Sequence, residues 1–196
     1  MIAYIDGKLT HKDPTYVIIE TNGVGYQIKI SLSTYSALPA GERCKLHTIL
    51  NIKEDAHTLY GFATIAEKDA FLHLISISGV GPNTGLMILS SLSVEEIQQA
   101  IVREDVRTIQ NVKGIGAKTA QRIILELKDK IKKEVLLSDV SAPAASHNTN
   151  RAEALSALVT LGFARNVAEK TLDAIIKRES GSLSVEELIK FALKSS

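Results

Sequence analysis

The sequence predicts an α+β chain of several domains: a small β-barrel, an all-helical region and a bundle of three short helices. Five short runs rich in β-branched and aromatic residues, separated by turns such as Asn22-Gly23, occupy the first 62 residues. Apolar residues then recur at helical spacing to about residue 134, and again over residues 151–196. A small, polar stretch without periodicity separates the two helical regions.

These patterns predict an OB-type barrel over residues 1–63, a helical domain over 64–135, a flexible linker over 136–150 and three helices over 151–196. The expected strands span residues 2–6, 16–21, 26–30, 45–52 and 58–62. The expected helix caps are Ser93 with Glu96, Asn150 with Glu153, and Ser184 with Glu187, with helix breaks at Gly162 and Gly181.

The composition excludes several classes of protein. Cys44 is the only cysteine, which rules out an internal disulfide and a thiolate metal cluster and suits a reducing cytoplasm. The five histidines are scattered without metal-ligand spacing, so we expect no metal and no cofactor. No apolar run approaches the roughly 20 residues that span a bilayer, and the N-terminus lacks the features of a signal peptide, so no membrane association is expected. With a net charge of +1, binding to a polyanion must depend on local geometry.

Two segments of the helical region, residues 77–86 and 112–121, align with each other. In each, an apolar residue lies two positions before a Gly-aliphatic-Gly turn, and a small residue lies four positions after the second glycine. The turns are Gly79-Val80-Gly81 and, 35 residues later, Gly114-Ile115-Gly116. Because helical patterns flank both turns, the repeat predicts a tandem helix-hairpin-helix domain.

The repeated turns have the properties of a phosphate-binding site. Glycines adopt backbone angles closed to other residues and leave no side chain between the amides and a ligand. The aliphatic residue between them can anchor the turn in the core. The helix after each turn begins with unsatisfied amides and a positive dipole end. Lys118 and Thr119, in the first turn of the second such helix, add a cation and a hydroxyl. The expected phosphate-binding residues are Gly79, Val80, Gly81, Asn83, Thr84, Gly114, Ile115, Gly116, Lys118, Thr119 and Arg122.

Other interpretations of the glycine turns are weaker. A single Gly-x-Gly between helices is most simply a tight loop, but a second copy in a matching context favours a shared function. A P-loop is excluded because Ala117 stands where a glycine must precede Lys118-Thr119. A dinucleotide-binding turn requires a strand before it, whereas the segments before both turns are helical in pattern.

Further motifs occur along the chain at characteristic positions. They are Asn22-Gly23-Val24-Gly25-Tyr26, the segment KEDAHTLYGF at residues 53–62, the two glycine turns, and ALVTLGF at residues 157–163. With this combination the chain resembles the RuvA family of bacterial Holliday junction branch-migration proteins over nearly all of its 196 residues. The Glu-Asp-Ala…Leu-Tyr-Gly-Phe string followed by two hairpins is the most specific part of the resemblance.

The resemblance implies a function and an assembly. A homotetramer, in some complexes an octamer made of two tetramers, would bind four-way junction DNA and hold it open in a square-planar form. The C-terminal helices, whose Leu-Gly-Phe turn is similar to that of ubiquitin-associated domains, would bind the hexameric ATPase RuvB, and the RuvC resolvase is a further expected partner. The chain itself would be a non-catalytic scaffold for branch migration in recombination and repair, because ATP hydrolysis would belong to RuvB.

The chain departs from the family pattern at both turns. Family members often have Lys after Gly-Val-Gly-Pro, where this chain has Asn83, and many have two lysines after the second turn, where it has Ala117-Lys118. Each change removes a cation near a phosphate. We therefore expect weaker DNA binding with a shallower salt dependence, but not loss of function.

The acidic pair Glu54-Asp55 lies between two apolar runs, at an expected hairpin tip. From the residues alone, these are most simply two solvated loop acids. The resemblance gives them the role of a pin that projects into the junction centre, where their charge repels phosphates. Paired carboxylates also bind Mg²⁺ in nucleases, but the sequence offers no further acids to complete such a site.

The C-terminal helices offer a candidate partner surface. Their apolar residues Leu155, Leu158, Leu161 and Phe163 are expected mainly as the core of the bundle. A domain of about 46 residues has a limited core, so some apolar surface is expected to remain exposed and to meet a partner. The resemblance places the contact with RuvB at Leu158, Leu161 and Leu193.

Two other functions remain open from the residues alone. One is an enzyme, such as a nuclease or glycosylase, that uses the hairpins only for docking, although no catalytic grouping can be proposed from the sequence. The other is a single-strand binder whose barrel tyrosines stack on bases, since all five tyrosines lie within the first sixty residues.

Overall fold

The computed structural model of the chain describes residues 1–39, 41–138, 147–178 and 183–194. The chain divides into two compact units, Met1–Lys132 and Lys133–Ser196, and a helix over Ala117–Ser138 crosses the boundary between them. Among the described residues, no helix is both long and apolar enough to span a bilayer.

The N-terminal part of the first unit is a closed five-stranded barrel, which confirms the predicted OB-type domain. Around the barrel the strand order is β1-β2-β3-β5-β4; the β3–β5 pair is parallel and the other pairs are antiparallel. The strands are β1 (Tyr4–Lys12), β2 (Tyr16–Thr21), β3 (Val24–Ile30), β4 (Arg43–Ile52) and β5 (His57–Phe62). Alternate apolar residues such as Val17, Ile19 and Ile28 fill the interior.

The first strand is longer than predicted, because the expected strand ended at residue 6 and β1 continues to Lys12. The added stretch lacks a clear alternation of apolar and polar residues. It is held instead by its neighbours, since Lys8 pairs with Glu20 of β2 on one side and with Arg43 of β4 on the other. Pairing across the closed barrel therefore decides the length of this strand.

The helical part of the first unit contains the predicted hairpin domain. The helices of this unit are α1 (Leu32–Ala37), which lies between β3 and β4, and α2 (Ile65–Ile75), α3 (Pro82–Ser91), α4 (Val94–Arg103), α5 (Val106–Gln110) and α6 (Ala117–Ser138). The predicted capping box of α4 is confirmed: the Ser93 amide donates to Glu96 Oε2 at 2.8 Å, and the Glu96 amide donates to Ser93 Oγ at 3.1 Å.

Helix α1 was not predicted, because six residues are too few to show a helical period. Its N-cap is Ser31, whose hydroxyl oxygen accepts from the Thr34 amide at 2.9 Å. The helix links the barrel to the hairpin domain. The Ser33 hydroxyl donates to the Leu89 carbonyl of α3 at 2.5 Å, and the Leu32 amide donates to the Ser90 hydroxyl at 3.0 Å.

The carboxyl group of Glu67 lies at the centre of this link. Glu67 is in the first turn of α2 and is 6% exposed. Its Oε1 accepts from the Ser31 hydroxyl at 2.5 Å, and its Oε2 accepts from the Thr34 hydroxyl at 2.7 Å and from the Ala63 amide at 3.2 Å. Buried polar groups need such partners, so this network joins α1, the end of the barrel and α2 at a defined position.

Aromatic packing reinforces the same junction. The ring of Phe71, on α2, lies 5.3 Å from the Tyr60 ring and 4.9 Å from the Phe62 ring, measured between centroids. Tyr60 and Phe62 belong to β5 but are part of the same apolar core as the hairpin helices. The barrel and the hairpin domain are therefore packed as one unit.

The second unit contains the three predicted C-terminal helices, α7 (His147–Thr160), α8 (Arg165–Arg178) and α9 (Val185–Lys194), around a separate apolar core. The predicted break at Gly162 is confirmed: its φ is +98°, the Phe163 amide donates to the Leu158 carbonyl at 3.0 Å, and the Gly162 amide donates to the Val159 carbonyl at 3.0 Å. This is the hydrogen-bond pattern of a Schellman motif.

One C-terminal cap is confirmed and one is wrong. The Ser184 amide donates to Glu187 Oε2 at 2.9 Å, and the Glu187 amide donates to Ser184 Oγ at 3.3 Å, as expected for a capping box. Asn150 does not cap α7, because the helix begins three residues earlier, at His147. Its side-chain amide instead donates to the Leu183 carbonyl at 3.0 Å, which ties α7 to the segment before α9.

Two helices extend into the segment that was predicted as a linker. Helix α6 continues to Ser138 and α7 begins at His147, so residues 136–138 and 147–150 are helical. No glycine or proline precedes Pro143 in this segment, so nothing in the local sequence ends α6 at residue 135. The remaining linker residues, 139–146, and the predicted break at Gly181 lie outside the described residues.

We predict that Glu67→Gln destabilises the first unit by about 2–3 kcal/mol, because an amide group replaces one of the acceptors that Ser31 and Thr34 require. Urea unfolding followed by tyrosine fluorescence measures this, since all five tyrosines lie in residues 1–60. Glu95→Gln, at an exposed position in the first turn of α4, is the matched control and is expected to change stability by at most about 0.5 kcal/mol. Equal effects of the two substitutions would contradict the role given to Glu67.

Candidate nucleic-acid interface

The two predicted glycine turns have the same backbone geometry. In turns 77–80 and 112–115, the amide of the fourth residue donates to the carbonyl of the first, at 3.0 Å and 3.1 Å respectively. The third residue is a glycine with positive φ, +92° at Gly79 and +86° at Gly114. A type II turn requires this conformation at its third position, and it costs other L-residues about 1–2 kcal/mol.

Each turn leads directly into a helix. Gly81 is the N-cap of α3, with φ −83° and ψ 169°, and as a glycine it offers the helix no side-chain acceptor. The Gly85 amide donates to the Gly81 carbonyl at 2.9 Å, and in α6 the Ala120 amide donates to the Gly116 carbonyl at the same distance. Around the two turns, the amides that meet no acceptor among the described residues include those of Gly79, Gly81, Asn83, Thr84, Gly114, Gly116, Ala117, Lys118 and Thr119.

The approach to these amides is open. A Cβ atom built on Gly81 or Gly116 would meet nothing within 4 Å. Both glycines are exposed, and the helix dipole adds partial positive charge at the same place. The geometry therefore gives two groups of open backbone donors at helix N-termini, an arrangement that binds anions in many proteins.

The aliphatic residues between the glycines do not belong to the binding surface. Val80 and Ile115 are 4% and 6% exposed, and both side chains lie in the hairpin core. Their amides close the two turns by bonding to the carbonyls of Ile77 and Val112. Val80 and Ile115 thus anchor the turns in the core, as expected, and with neither a free donor nor an exposed side chain their predicted contact with phosphate gains no support from the geometry.

The side chains around the two turns differ in charge. Lys113 and Lys118 flank the second turn and are exposed. Residues 74–85, around the first turn, include no Lys, Arg, Asp or Glu. Asn83 is exposed there, and Thr84 and its counterpart Thr119 are half-buried. The first position thus offers mainly backbone donors, whereas the second adds two cations.

Helix α5 leads the chain into the second turn and is fixed by its N-cap, Asp105. The Asp105 carboxylate accepts from the Thr108 hydroxyl at 2.7 Å and from the amides of Arg107 and Thr108 at 3.1 Å and 3.2 Å. The pKa of Asp105 lies below its ordinary value, mainly because the Thr108 hydroxyl donates to the carboxylate, and also because the Thr108 amide does. The cap is therefore charged near neutral pH and fixes the start of the helix.

Arg122 was predicted as a phosphate ligand, but its guanidinium group already has partners within the protein. Its Nη1 donates to the Ser78 carbonyl of the first turn at 3.1 Å. Its Nε lies 3.6 Å from Glu126 Oε1, one helical turn further along α6. Arg122 thus connects the helix of the second hairpin to the turn of the first.

The acidic pair lies at a hairpin tip, as predicted. Glu54 and Asp55 are exposed between β4 and β5. The tip is closed by the Lys53 amide, which donates to the Ala56 carbonyl at 2.9 Å. Because β5 is packed against α2 through its aromatic residues, the tip is carried by the same unit as the glycine turns.

The three leucines predicted to contact a partner differ in exposure. Leu161 and Leu193 are 60% and 47% exposed. Leu158 is fully buried, where it is part of the core of the second unit. Its burial agrees with the expectation that Leu158 belongs mainly to the core of the bundle, and the predicted contact of Leu158 with a partner gains no support from its exposure.

Several residues that connect the two hairpins belong to no sequence motif, so the sequence analysis did not identify them. The backbone carbonyl of Ser78 and the hydroxyl of Ser76 each accept from a side chain of α6, and the Met87 thioether lies beside Gly114. Such contacts join residues that are dozens of positions apart in the chain, and their side chains form no motif. Among the described residues, no group of three or more His, Cys, Asp and Glu could hold a metal ion.

A β-barrel of this strand order packed against a tandem pair of helix-hairpin-helix turns defines a class of nucleic-acid-binding protein. Comparison with protein families agrees with this assignment, part by part. The RuvA N-terminal domain matches residues 1–61, the SAM-like helix-hairpin-helix tandem matches residues 71–129, and the RuvA C-terminal domain matches residues 149–196.

Whole-length relatives support the same conclusion. The Holliday junction branch migration complex subunit RuvA of Cytophaga hutchinsonii is 60% identical over 199 residues, with both chains fully covered. The proteins of the same name from Christiangramia forsetii and Geotalea daltonii are 53% and 46% identical, with at least 98% of each chain covered. The chain belongs to the RuvA family.

Proposed function

We propose that this protein binds Holliday junctions and couples them to a branch-migration motor during homologous recombination and DNA repair. The observation that carries the proposal is the pair of glycine turns, each of which opens a helix whose leading amides meet no acceptor among the described residues. Its relatives are named as subunits of the Holliday junction branch migration complex, which makes four-way junction DNA the ligand to be tested.

In this proposal, the two turns bind phosphates of one duplex arm through backbone N–H groups. Contacts of this kind position a duplex without reading its sequence, as is required of a protein that acts on a moving junction. Lys118 and Thr119 add an ammonium and a hydroxyl at the second turn, and Asn83 and Thr84 add neutral donors at the first. The net charge of +1 agrees with binding that relies on local donors.

The acidic tip, in contrast to the two turns, repels phosphates. Glu54 and Asp55 carry negative charge on an exposed turn of the unit that holds the phosphate-binding turns. Carboxylates close to phosphates raise the free energy of an uninterrupted duplex that crosses the same face. The tip therefore favours a DNA form whose strands separate around it, which is an open four-way junction.

Symmetry links the chain to its ligand. A junction has four arms, and a homotetramer with fourfold symmetry would present one hairpin domain to each arm. Two tetramers on opposite faces would enclose the junction, and the RuvC resolvase would require one of these faces to be accessible. These assemblies are part of the proposal.

The second unit is proposed to bind the hexameric ATPase RuvB. Leu161 and Leu193 support this, because large apolar side chains that are about half exposed often mark partner surfaces. ATP hydrolysis would then belong to RuvB, and this chain would act without chemistry of its own. We place this function in the cytoplasm; Cys44 is buried and unpaired, and burial raises the pKa of its thiol, which suits a reducing compartment.

We predict that Gly81→Asp lowers affinity for a four-way junction by roughly tenfold or more while leaving the fold intact. Gly81 already has the extended conformation of an N-cap, and its Cβ position is open. An aspartate there would accept from the leading amides of α3, as N-cap residues do, and would repel phosphate. Competition gel shifts with a junction, a duplex and a single strand of equal length measure the effect.

Gly81→Ala is the matched control, because it adds a Cβ atom without a hydrogen-bond acceptor. It should retain at least most of the junction affinity, and both variants should melt no lower than about 5 °C below the wild type. If Gly81→Asp binds the junction as tightly as Gly81→Ala does, the amides of the first turn are not the ligand-binding groups. If the wild-type protein prefers single strands or duplex, the proposed function is wrong.

Removing the charge of the hairpin tip is expected to strengthen binding to plain duplex. Glu54→Gln combined with Asp55→Asn keeps the size of both side chains and abolishes their repulsion of phosphate. We expect severalfold tighter duplex binding at low salt and a smaller preference for the junction, measured by fluorescence anisotropy. Glu95→Gln, on α4, serves as the control for loss of an acidic charge elsewhere. Unchanged duplex affinity of the double variant would exclude the repulsion mechanism.

Replacing the exposed leucines of the second unit is expected to weaken binding of RuvB from the same organism. We predict that Leu161→Asp and Leu193→Asp each lower the affinity by about tenfold, the effect typical of a central apolar contact. Val167→Asp, at a position of α8 with 50% exposure, is the control and should bind normally. Junction binding should not change in any of the three variants. Normal RuvB binding by both leucine variants would place the partner surface elsewhere.

A further inference from the structure

The two hairpins are equivalent in sequence at an offset of 35 residues, and this offset also relates two side chains outside the turns. Gly79 corresponds to Gly114, and by the same offset Met87 on α3 corresponds to Arg122 on α6. Both helices lead away from a glycine turn, and both residues lie on the second helical turn. Their chemistry differs, because one is an apolar thioether and the other a cation.

Each of the two residues lies beside the turn of the opposite hairpin. The Arg122 Nη1 donates to the Ser78 carbonyl at 3.1 Å, beside Gly79. In the reverse direction, the Met87 sulfur lies 3.8 Å from the point that a Cβ atom on Gly114 would occupy, so the thioether lies beside the second turn. The helix of each hairpin therefore supports the turn of the other.

Other groups strengthen the contact made by Arg122. Glu126 lies 3.6 Å from the Arg122 Nε and helps to orient the guanidinium group. Two turns further along α6, the Lys130 ammonium donates to the Ser76 hydroxyl, which in turn donates to the His73 carbonyl at 2.6 Å. One face of α6 thus holds the end of α2 and the start of the first turn.

We propose that Arg122 and Met87 form a reciprocal brace that fixes the separation of the two phosphate-binding turns, and that Arg122 is a positioning residue and not a phosphate ligand. The effect of the brace on DNA binding rests on the proposed function. Phosphates along a duplex arm have a fixed spacing, and two turns can match it only if their separation is fixed. An uncharged residue occupies the equivalent position on α3. The feature common to both positions is therefore the place beside the opposite turn and not a charge.

Charge and geometry can be separated by the salt dependence of binding. Removal of a cation that binds one phosphate reduces the slope of log affinity against log salt by about 0.9. Removal of a brace lowers affinity at all salt concentrations and leaves the slope unchanged. We expect Arg122→Gln to weaken junction binding by roughly threefold to tenfold, the factor that corresponds to one ordinary hydrogen bond, at an unchanged slope. Lys118→Gln is the comparison, and it should reduce the slope.

Arg122→Lys and two variants of Met87 test the geometry further. Arg122→Lys keeps the charge, but an ammonium lacks the planar fork that holds Ser78 and Glu126 together, so it should behave like Arg122→Gln. Met87→Ala should also weaken junction binding at constant slope, although no charge is removed. Met87→Leu keeps the apolar volume and should restore the affinity.

Hydrogen exchange of the free protein gives a readout that does not depend on DNA. The Val80 amide is bonded to the Ile77 carbonyl within the first turn, so its exchange should accelerate in Arg122→Gln while exchange in the barrel strands stays constant. The brace is overturned if Arg122→Gln reduces the salt slope, if Arg122→Lys binds like the wild type, or if exchange at Val80 does not change. If the wild type showed no junction preference, the proposed function would fail, and the exchange measurement alone would decide the brace.

Discussion

The buried carboxyl group of Glu67 is the constraint on which the rest of the first unit depends. It accepts from Ser31 and Thr34 of the barrel side and from the Ala63 amide at the start of the hairpin domain. A buried polar group without partners is costly, so alternative placements of α2 against the barrel are disfavoured. Helix α2 leads directly into the first glycine turn. One local network therefore sets the position of the turn relative to the acidic tip.

The fixed position of the first glycine turn relative to the acidic tip matters for the proposed function, in which the turns attract phosphates and the tip repels them. The attracting groups are backbone amides at two helix N-termini, and the repelling groups are carboxylates on a barrel hairpin. Both act at short range, and their combined effect on a DNA shape depends on fixed distances between them. The brace between the hairpins would extend the same principle within the hairpin domain. The second unit has its own core, in keeping with a separate role in binding a partner.

The sequence was informative wherever a local motif defines a local structure. Both glycine turns, the capping box at Ser93 and Glu96, the break at Gly162 and the acidic hairpin tip were predicted correctly, because each depends on a few consecutive residues. Helix α1 was missed because six residues show no period, and the extension of β1 was missed because it is held by strand pairing. Leu158 was assigned both to the bundle core and to a partner surface, and the structure buries it, because the sequence pattern of an apolar residue is the same in either position.

The sequence by itself determined the order of domains, the conformation of the two turns and the family, because glycine spacing and apolar periodicity act through neighbouring residues. Only the tertiary structure decided which donors are free and which are occupied. Arg122 shows the difference: its place after a glycine turn predicts a phosphate ligand, but its guanidinium group meets the Ser78 carbonyl, 44 residues earlier in the chain. No local pattern encodes such a contact, because it arises when two distant helices pack around one core.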